Sequence, residues 1–215
     1  MFLQKYFNQK GLLIKEIEFN KDGTIAVHLN YEYDKAGNLI QTKAFNADSS
    51  LLFKETRTYD EYNNCKELYH YLPDGTYKYR NSASYDNVGR MTEVAWYWTT
   101  GLKSKNKYEY VGNKKTTDIE YNPAGEIQYR WTYKYDRNEN MLEAIQYSSP
   151  GIVNRKIIYV FNKKKQLAKE INYTGEVIQD STSYLFDKKN LLISKTEFSQ
   201  SGRRTASHRY QYEFR

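Results

Sequence analysis

Residues 33–38 read Tyr-Asp-Lys-Ala-Gly-Asn, and residues 85–90 read Tyr-Asp-Asn-Val-Gly-Arg. Midway between them, residues 59–64 read Tyr-Asp-Glu-Tyr-Asn-Asn, so the element recurs every 26 residues. Asp, Asn and Gly are typical of chain reversals, because the short polar side chains bond to nearby backbone and Gly adopts positive φ. The element therefore predicts a tight turn that directly follows a tyrosine at the end of a strand.

Two sets of such turns alternate along the whole chain. We call the first set A-turns; they open at Phe7, Tyr33, Tyr59, Tyr85, Tyr110, Tyr135, Phe161 and Phe186. We call the second set B-turns; they open at Phe19, Phe45, Tyr71, Tyr97, Tyr121, Tyr147, Tyr173 and Phe198. Once four or five residues are assigned to each turn, the spacing leaves roughly 7–9 residues for each strand, which is typical of β-hairpins. The pattern predicts about eight tandem hairpins and about 17 strands.

Side chains alternate between the turns, as in the segments 25–33 and 127–135. In the second segment one face would carry Ile127, Tyr129, Trp131, Tyr133 and Tyr135, and the other Gln128, Arg130, Thr132 and Lys134. A two-residue period with one polar face indicates half-buried antiparallel strands. The predicted fold class is all-β: tandem antiparallel β-hairpin repeats of about 26 residues that form one large, coiled meander sheet or an open barrel-like spiral. We expect a single repeat domain over residues 1–215.

The composition agrees with a tyrosine-rich sheet. The chain has 23 Tyr and 16% aromatic residues, yet its mean hydropathy is −0.91. Cys65 is the single cysteine, which excludes an internal disulfide framework and a cysteine-based zinc site. No apolar run approaches the ~20 residues of a membrane helix, so membrane insertion is not expected. The N-terminus lacks the apolar region of a signal peptide, so the compartment stays open between the cytoplasm and a secreted, trimmed chain.

The Tyr-Asp-x-x-Gly-Asn/Arg element at residues 33–38 and 85–90 resembles the YD repeat of RHS proteins. The resemblance extends over nearly the whole chain as a pattern, although Tyr59-Asp60 and Tyr135-Asp136 lack the glycine. It implies hairpin sheets that spiral into a shell, which encloses cargo or presents binding surfaces in bacterial toxins and teneurin-like proteins. A weaker similarity is to MORN-like antitoxin proteins, also built from tandem short hairpins. Both resemblances imply a scaffold.

The residue types that usually carry chemistry are scattered. The histidines are His28, His70 and His208, and repeat geometry places them far apart, whereas a catalytic or zinc site needs convergent side chains. The recurring turn aspartates could bind calcium along one edge or bond to their own turns, and the second role explains their spacing more simply. These aspartates are Asp34, Asp60, Asp86 and Asp136. We therefore expect no catalytic, cofactor-binding or metal-binding residues and no cofactor.

Charge and aromatic residues offer a candidate binding surface. Residues 1–100 contain 12 Lys and Arg against 13 Asp and Glu, whereas residues 101–215 contain 21 against 13. Lysines at strand edges commonly serve solubility, and tryptophans on a sheet commonly belong to the core. The alternative is a contact surface, because Trp anchors partners and lysine binds acidic groups. The candidate partner-binding residues are Trp96, Trp98, Trp131, Lys103, Lys105 and Lys107.

These observations predict a non-enzymatic repeat scaffold that binds a macromolecular partner. A protein is the leading expectation, with the chain as a fragment or small relative of an RHS-type effector. The alternative is a carbohydrate or cell-envelope binding module that uses exposed Trp and Tyr. An enzyme and a nucleic-acid binder are disfavoured, the former because no acid–base pair or nucleophile constellation is found. The aromatic face must be covered, so we expect either a monomer whose sheet closes on itself or a homodimer.

Overall fold

A computed structural model describes residues 2–213, with every side chain in that range except that of Ser149. The described residues form 17 β-strands and no helix. The strands are β1 (Phe2–Phe7), β2 (Leu13–Phe19), β3 (Ile25–Tyr33), β4 (Leu39–Asn46), β5 (Leu51–Tyr59), β6 (Cys65–Tyr71), β7 (Tyr77–Tyr85), β8 (Met91–Trp98), β9 (Gly101–Val111), β10 (Lys114–Tyr121), β11 (Ile127–Tyr135), β12 (Met141–Ser149), β13 (Ile152–Phe161), β14 (Leu167–Thr174), β15 (Val177–Phe186), β16 (Leu192–Ser199) and β17 (Arg204–Arg209).

Strands that follow one another in sequence pair antiparallel. In β2–β3, Lys15 lies opposite Asn30, and in β7–β8, Tyr79 lies opposite Trp98. The register shifts where a strand meets its turn, as between Glu32 and Tyr33, so each hairpin ends in a bulge. The predicted fold class, an all-β antiparallel meander sheet of hairpin repeats with about 17 strands, is confirmed.

The chain divides into two compact units. Within the described residues, unit 1 holds residues 2–106 and 122–124, and unit 2 holds residues 107–121 and 125–213. Unit 1 therefore contains β1 to β8 complete, and unit 2 contains β10 and, from residue 127, β11 to β17. The expectation of a single domain over residues 1–215 stays a prediction, and residues 1, 214 and 215 lie outside the described part.

Seven of the eight A-turns have Asp or Asn as their second residue, and its side chain holds the turn; the exception opens at Tyr110, where the second residue is Val111. Asp60 Oδ1 accepts hydrogen bonds from the backbone N–H groups of Tyr62 (2.9 Å) and Asn64 (2.8 Å). Asn64 Nδ2 in turn donates to Asp60 Oδ2 at 3.0 Å, which explains the asparagine that follows the turn. The same pair of backbone bonds recurs in other A-turns, where the accepting residues are Asn8, Asp86, Asp136, Asn162 and Asp187. The expected turn role of the aspartates is confirmed.

The fifth turn residue has a left-handed backbone, which explains the glycine of the element. Gly37 has φ 93° and Gly89 has φ 81°. The later A-turns keep this conformation without glycine, with φ of 71° at Glu139 and 62° at Lys165. A side chain at such a φ is strained, because its Cβ crowds the following carbonyl. The turn geometry therefore persists where the glycine has been lost.

The tyrosines that open the A-turns bind the neighbouring strand. The hydroxyl of Tyr59 donates to the carbonyl oxygen of Leu39 at 2.7 Å, and Tyr85 donates likewise to Cys65 at 2.8 Å. In each case the acceptor lies 20 residues earlier, at the start of the preceding strand. Tyr33 donates likewise to Leu13 and Tyr135 to Lys115, and Tyr212, which follows β17 and opens no A-turn, donates with the same spacing to Leu192. Each of the four A-turn tyrosines thus connects its own turn to the strand that leaves the previous A-turn, which aligns successive hairpins.

The fully buried positions hold small side chains. Ala44, Ala95 and Ala144 are at most 3% exposed, and among the described residues no side chain of large volume is fully buried. Ala144 lies opposite Tyr133 on one neighbouring strand and Ile157 on the other. Side chains on both faces of β3 are half-buried, including His28 and Asn30, so the faces differ less than the sequence alternation predicts. Large rings therefore cover small central residues instead of forming a buried layer of their own.

We expect Tyr135→Phe to lower the free energy of unfolding by about 1 kcal/mol, because the phenylalanine cannot donate to Lys115. Phe161 stands at the equivalent position 26 residues later and lacks the hydroxyl. Phe161→Tyr should place a hydroxyl near the Met141 carbonyl and raise stability by a similar amount. Urea unfolding of both variants measures the two effects. Equal stability of Tyr135→Phe and the original chain would contradict the role of the tyrosine bond.

Acid should weaken the A-turns. Hydrogen bonds from Asn64 and Asn140 lower the pKa of Asp60 and Asp136, respectively, below the ordinary value of 3.8. A carboxyl whose pKa is depressed on folding stabilises the protein above its unfolded pKa, and this contribution is lost as pH falls through the folded pKa. The double variant Asp60→Asn, Asp136→Asn should therefore lose less stability than the original chain between about pH 6 and pH 3.

The control for the acid experiment is built into the chain, since Asn8 and Asn162 already hold their turns through the same side-chain oxygen. The asparagine variant should therefore fold at neutral pH. Thermal melts at both pH values measure the difference. Identical acid sensitivity of the two proteins would show that these carboxylates make no contribution.

Candidate functional site

Three of the predicted residues line one cleft in unit 1. Trp96 and Trp98 lie on β8 and are each 40% exposed, and Lys103 lies on β9. The Lys103 ammonium lies 4.8 Å from the centroid of the Trp98 ring, within the range of a cation–π interaction. The cleft has a volume of about 420 Å³ and is lined by Lys78, Tyr79, Trp96, Trp98, Lys103 and Ser104. Two half-exposed indoles and the Lys103 ammonium therefore share one surface, and Lys78 adds a second lysine to the lining.

Strand geometry explains why both indoles reach the cleft. Residues two apart on a strand share a face, so Trp96 and Trp98 point the same way and Tyr97 points to the opposite face. There the Arg80 guanidinium lies 3.8 Å from the centroid of the Tyr97 ring. Tyr79 lies opposite Trp98 on β7, and its ring centroid is 6.4 Å from that of Trp96. The wall of the cleft is thus made by two paired strands.

A polar cluster supports the Tyr79 side of the cleft. Glu55 Oε2 accepts a hydrogen bond from Arg57 at 2.7 Å, and Glu55 Oε1 lies 3.3 Å from His70 Nδ1. The Tyr79 hydroxyl donates to Glu55 Oε1 at 3.5 Å, and Arg57 also donates to the Thr42 hydroxyl at 3.3 Å. The Glu55, Arg57 and His70 side chains are 14–18% exposed. We call Glu55, Arg57 and His70 the Glu55 cluster.

A series of aromatic ring contacts connects the Glu55 cluster to the cleft. The His70 ring lies 4.9 Å from Phe53 and 4.7 Å from Tyr79, and Tyr79 continues the series to Trp96. Burial raises the pKa of Tyr79, and the negative charge of Glu55 adds to that effect, so the phenol stays protonated and can donate. The series holds the cleft residues in position across four consecutive strands of unit 1.

Sequence reasoning missed the Glu55 cluster. A signal was present in residues 51–59, Leu-Leu-Phe-Lys-Glu-Thr-Arg-Thr-Tyr, where Glu55 and Arg57 share a strand face with Phe53 and Tyr59. Two opposite charges on the strand face that carries Tyr59, which opens the A-turn, indicate an ion pair. The contact of His70 with Glu55 depends on the pairing of β5 with β6, where these two residues lie directly opposite each other.

The remaining predicted residues lie elsewhere. Lys105, in unit 1, lies 4.0 Å from a carboxylate oxygen of Glu93. Lys107 and Trp131 belong to unit 2, where the Trp131 ring is stacked on Tyr133 with centroids 6.3 Å apart. Lys107 lies 5.9 Å from the centroid of the Tyr121 ring. The structure brings together Trp96, Trp98 and Lys103, and it does not place the other three residues in their cleft.

The other reactive side chains have structural surroundings. His28 is stacked on Phe45 with ring centroids 4.8 Å apart. Burial raises the pKa of the Cys65 thiol, which disfavours the nucleophilic thiolate. Across residues 2–213, His, Cys, Asp and Glu side chains do not assemble into groups of three or more that suit a metal ion. Residues 2–213 contain no helix that is long and apolar enough to cross a membrane.

Unit 2 has a cleft of its own, of about 440 Å³, beside the B-turn that follows Tyr147. Its lining includes Ile127, Arg130, Thr132 and Tyr147. It combines one guanidinium with an aromatic ring and an isoleucine that is 55% exposed. None of the six predicted residues lines it.

The 26-residue hairpin period, the Asx-held turns and the tyrosine bonds define a YD-type hairpin repeat protein. A family model described as Teneurin YD-shell matches residues 5–198, and the chain belongs to that family. The resemblance to YD and RHS repeats is thus confirmed, and the chain has the scaffold architecture of that class. Comparison with curated protein sequences gives no match.

Similar solved structures come from bacterial toxins and a porin-like protein. The TcdB2-TccC3-Cdc42 crystal structure is 10% identical with a TM-score of 0.48, and the match covers 94% of this chain and 13% of that chain. The Tc holotoxin pore of Photorhabdus luminescens is 14% identical with a TM-score of 0.41, covering 92% and 13%. A porin-like protein from Bacteroides uniformis is 11% identical with a TM-score of 0.48, covering 96% and 91%. The chain thus spans about an eighth of the toxin chains it matches.

Removal of the Glu55 carboxylate should destabilise unit 1. In Glu55→Ala, Arg57 and His70 lose their acceptor in a largely buried position, so we expect a loss of about 1.5–3 kcal/mol. Glu61→Ala is the matched control, because Glu61 is an exposed A-turn residue. Urea unfolding with tryptophan emission as the readout measures both variants. Equal, small effects of the two substitutions would show that the Glu55 cluster does not stabilise the fold.

Proposed function

We propose that this chain is a non-enzymatic scaffold that binds a protein partner, with Trp96, Trp98 and Lys103 at the centre of the contact. The observation that carries the proposal is the exposure of both indoles on paired strands of the sheet. Large, half-exposed aromatic side chains on a rigid support are the residues that dominate protein interfaces. Their support by Tyr79 and the Glu55 cluster reduces the ordering cost of binding.

The surroundings of the reactive groups support a scaffold over an enzyme. His70 is held between two rings and a carboxylate, and Cys65 has a raised thiol pKa. A general base or a nucleophile needs access to a substrate and a pKa tuned toward activity. Membership of a shell-repeat family points in the same direction.

The proposed binding module is the whole chain, residues 1–215, acting as one domain. Lys105, Lys107 and Trp131 are proposed as separate, weaker contributors. The Lys107 and Trp131 side chains already contact tyrosine rings of unit 2, and Lys105 has Glu93 as a neighbour. A smaller share of binding energy is therefore expected from these three residues.

A photo-crosslinking residue in place of Trp96 tests the proposal. It should capture a defined protein that, once purified, binds the original chain. Trp98→Ala should then weaken that binding by about 10-fold or more, in line with an interface hot spot. Tyr62→Ala is the matched control, because Tyr62 is an exposed aromatic residue outside the cleft, 70% exposed in an A-turn. Trp131→Ala should have an intermediate effect.

The proposal fails if captured proteins bind Trp98→Ala as tightly as the original chain. It also fails if the crosslinker at position 96 captures glycan and no protein, which would support the carbohydrate alternative.

A further inference from the structure

We infer that the cleft of Trp96 and Trp98 takes an extended, acidic segment of its protein partner. The inference rests on the proposed function and adds the chemistry of the bound segment. Its basis is the combination of two lysines, two indoles and an excess of side-chain hydrogen-bond donors over acceptors in one cleft of unit 1.

The positive charge of the cleft lacks a local counter-charge. Lys78 and Lys103 line it, and the lining includes no Asp or Glu. Neither lysine is ion-paired with a carboxylate within residues 2–213. Glu55, which contacts Tyr79, is already paired with Arg57 and His70. A ligand with carboxylates would therefore supply the missing negative charge.

The hydrogen-bonding groups of the cleft favour a ligand that accepts hydrogen bonds. Lysine ammonium and indole N–H groups donate and do not accept. The side-chain acceptors of the lining are the hydroxyl oxygens of Tyr79 and Ser104, and they are fewer than the lysine and indole donors. Sugar hydroxyls need acceptors as well as donors, whereas a carboxylate only accepts. The lining therefore fits acidic side chains better than a neutral glycan.

The charge of the surroundings favours a short ligand over a polynucleotide. Unit 1, residues 2–106 and 122–124, contains 14 basic and 13 acidic side chains, so the two lysines form a local patch in a nearly neutral unit. Polynucleotide binding depends on many phosphate contacts along a basic surface. Two ammonium groups beside two indoles instead match a segment with a pair of carboxylates and an apolar residue between them.

The partner segment should be extended. In an extended peptide every second side chain lies on one face, so Glu-Ser-Leu-Ser-Glu presents Glu, Leu and Glu together, with the outer pair about 13 Å apart along the chain. The leucine can pack on the indoles while the glutamates approach the lysines. Electrostatic attraction between the glutamates and the lysines speeds association, and the contact of the leucine with the indoles slows dissociation.

The test uses this pentapeptide, acetylated and amidated, and its neutral analogue Gln-Ser-Leu-Ser-Gln. The protein carries Trp131→Phe, which leaves Trp96 and Trp98 as its tryptophans. The acidic peptide should shift tryptophan emission saturably, and the neutral peptide should bind at least 10-fold more weakly. Binding of the acidic peptide should also weaken when salt rises from about 50 to 300 mM.

Variants then assign the effect to the cleft. Lys78→Met with Lys103→Met should weaken acidic-peptide binding at least 10-fold and remove most of the salt dependence. Lys156→Met is the matched control, because the Lys156 ammonium lies 5.3 Å from the Tyr173 ring centroid in unit 2, a similar cation–π contact. It should leave the affinity unchanged.

Equal affinity for the two peptides would overturn the inference, and so would an equal loss in Lys156→Met. Tighter binding of tetragalacturonate than of the acidic peptide would also overturn it in favour of an acidic glycan. A captured protein that needs Trp98, combined with no binding of the acidic peptide, refutes the acidic segment and leaves the proposed function standing. Failure of both capture and peptide binding refutes both.

Discussion

The hydrogen bonds that the Asx side chain accepts from its own loop, in every A-turn except the one at Tyr110, determine where the strands begin and end. Asp60 Oδ1, for example, binds the N–H groups of both Tyr62 and Asn64. Because strand side chains alternate with a period of two, a slip of one residue would move a whole strand's side chains to the opposite face. The register of each hairpin, and with it the face that every aromatic residue occupies, depends on this small set of bonds.

Tyrosine extends this local order to neighbouring hairpins. The bond from Tyr85 to the Cys65 carbonyl joins an A-turn to the strand that leaves the previous one. Such bonds suit a protein whose fully buried residues are small, such as Ala44 and Ala95, because the large rings remain half-exposed and still find polar partners. Phe161 and Phe186 lack the hydroxyl, so the contribution of this bond differs from repeat to repeat.

The candidate site is a local departure from the repeat. Elsewhere lysines lie over tyrosine rings, as Lys156 does over Tyr173, whereas the cleft at Trp98 combines two indoles with two lysines. Behind it the Glu55 cluster places an ion pair and an imidazole among aromatic rings. Burying these polar groups has a desolvation cost, which is offset only when each of them is hydrogen-bonded. A repeat scaffold can carry such a site because the surrounding hairpins already hold the strands in register.

The sequence by itself determined the hairpins, the turn aspartates and the shared face of Trp96 and Trp98, because these depend on neighbours within one or two turns. It also singled out Lys103. The tertiary structure decided what strands bring together: Glu55 with His70, Tyr79 with Trp98, and the placement of Lys107 and Trp131 in the other unit. Cross-strand contacts depend on the pairing register and on bulges, and the local sequence pattern defines these only to within one residue. A shift of one residue is enough to move a side chain to the opposite face of the sheet.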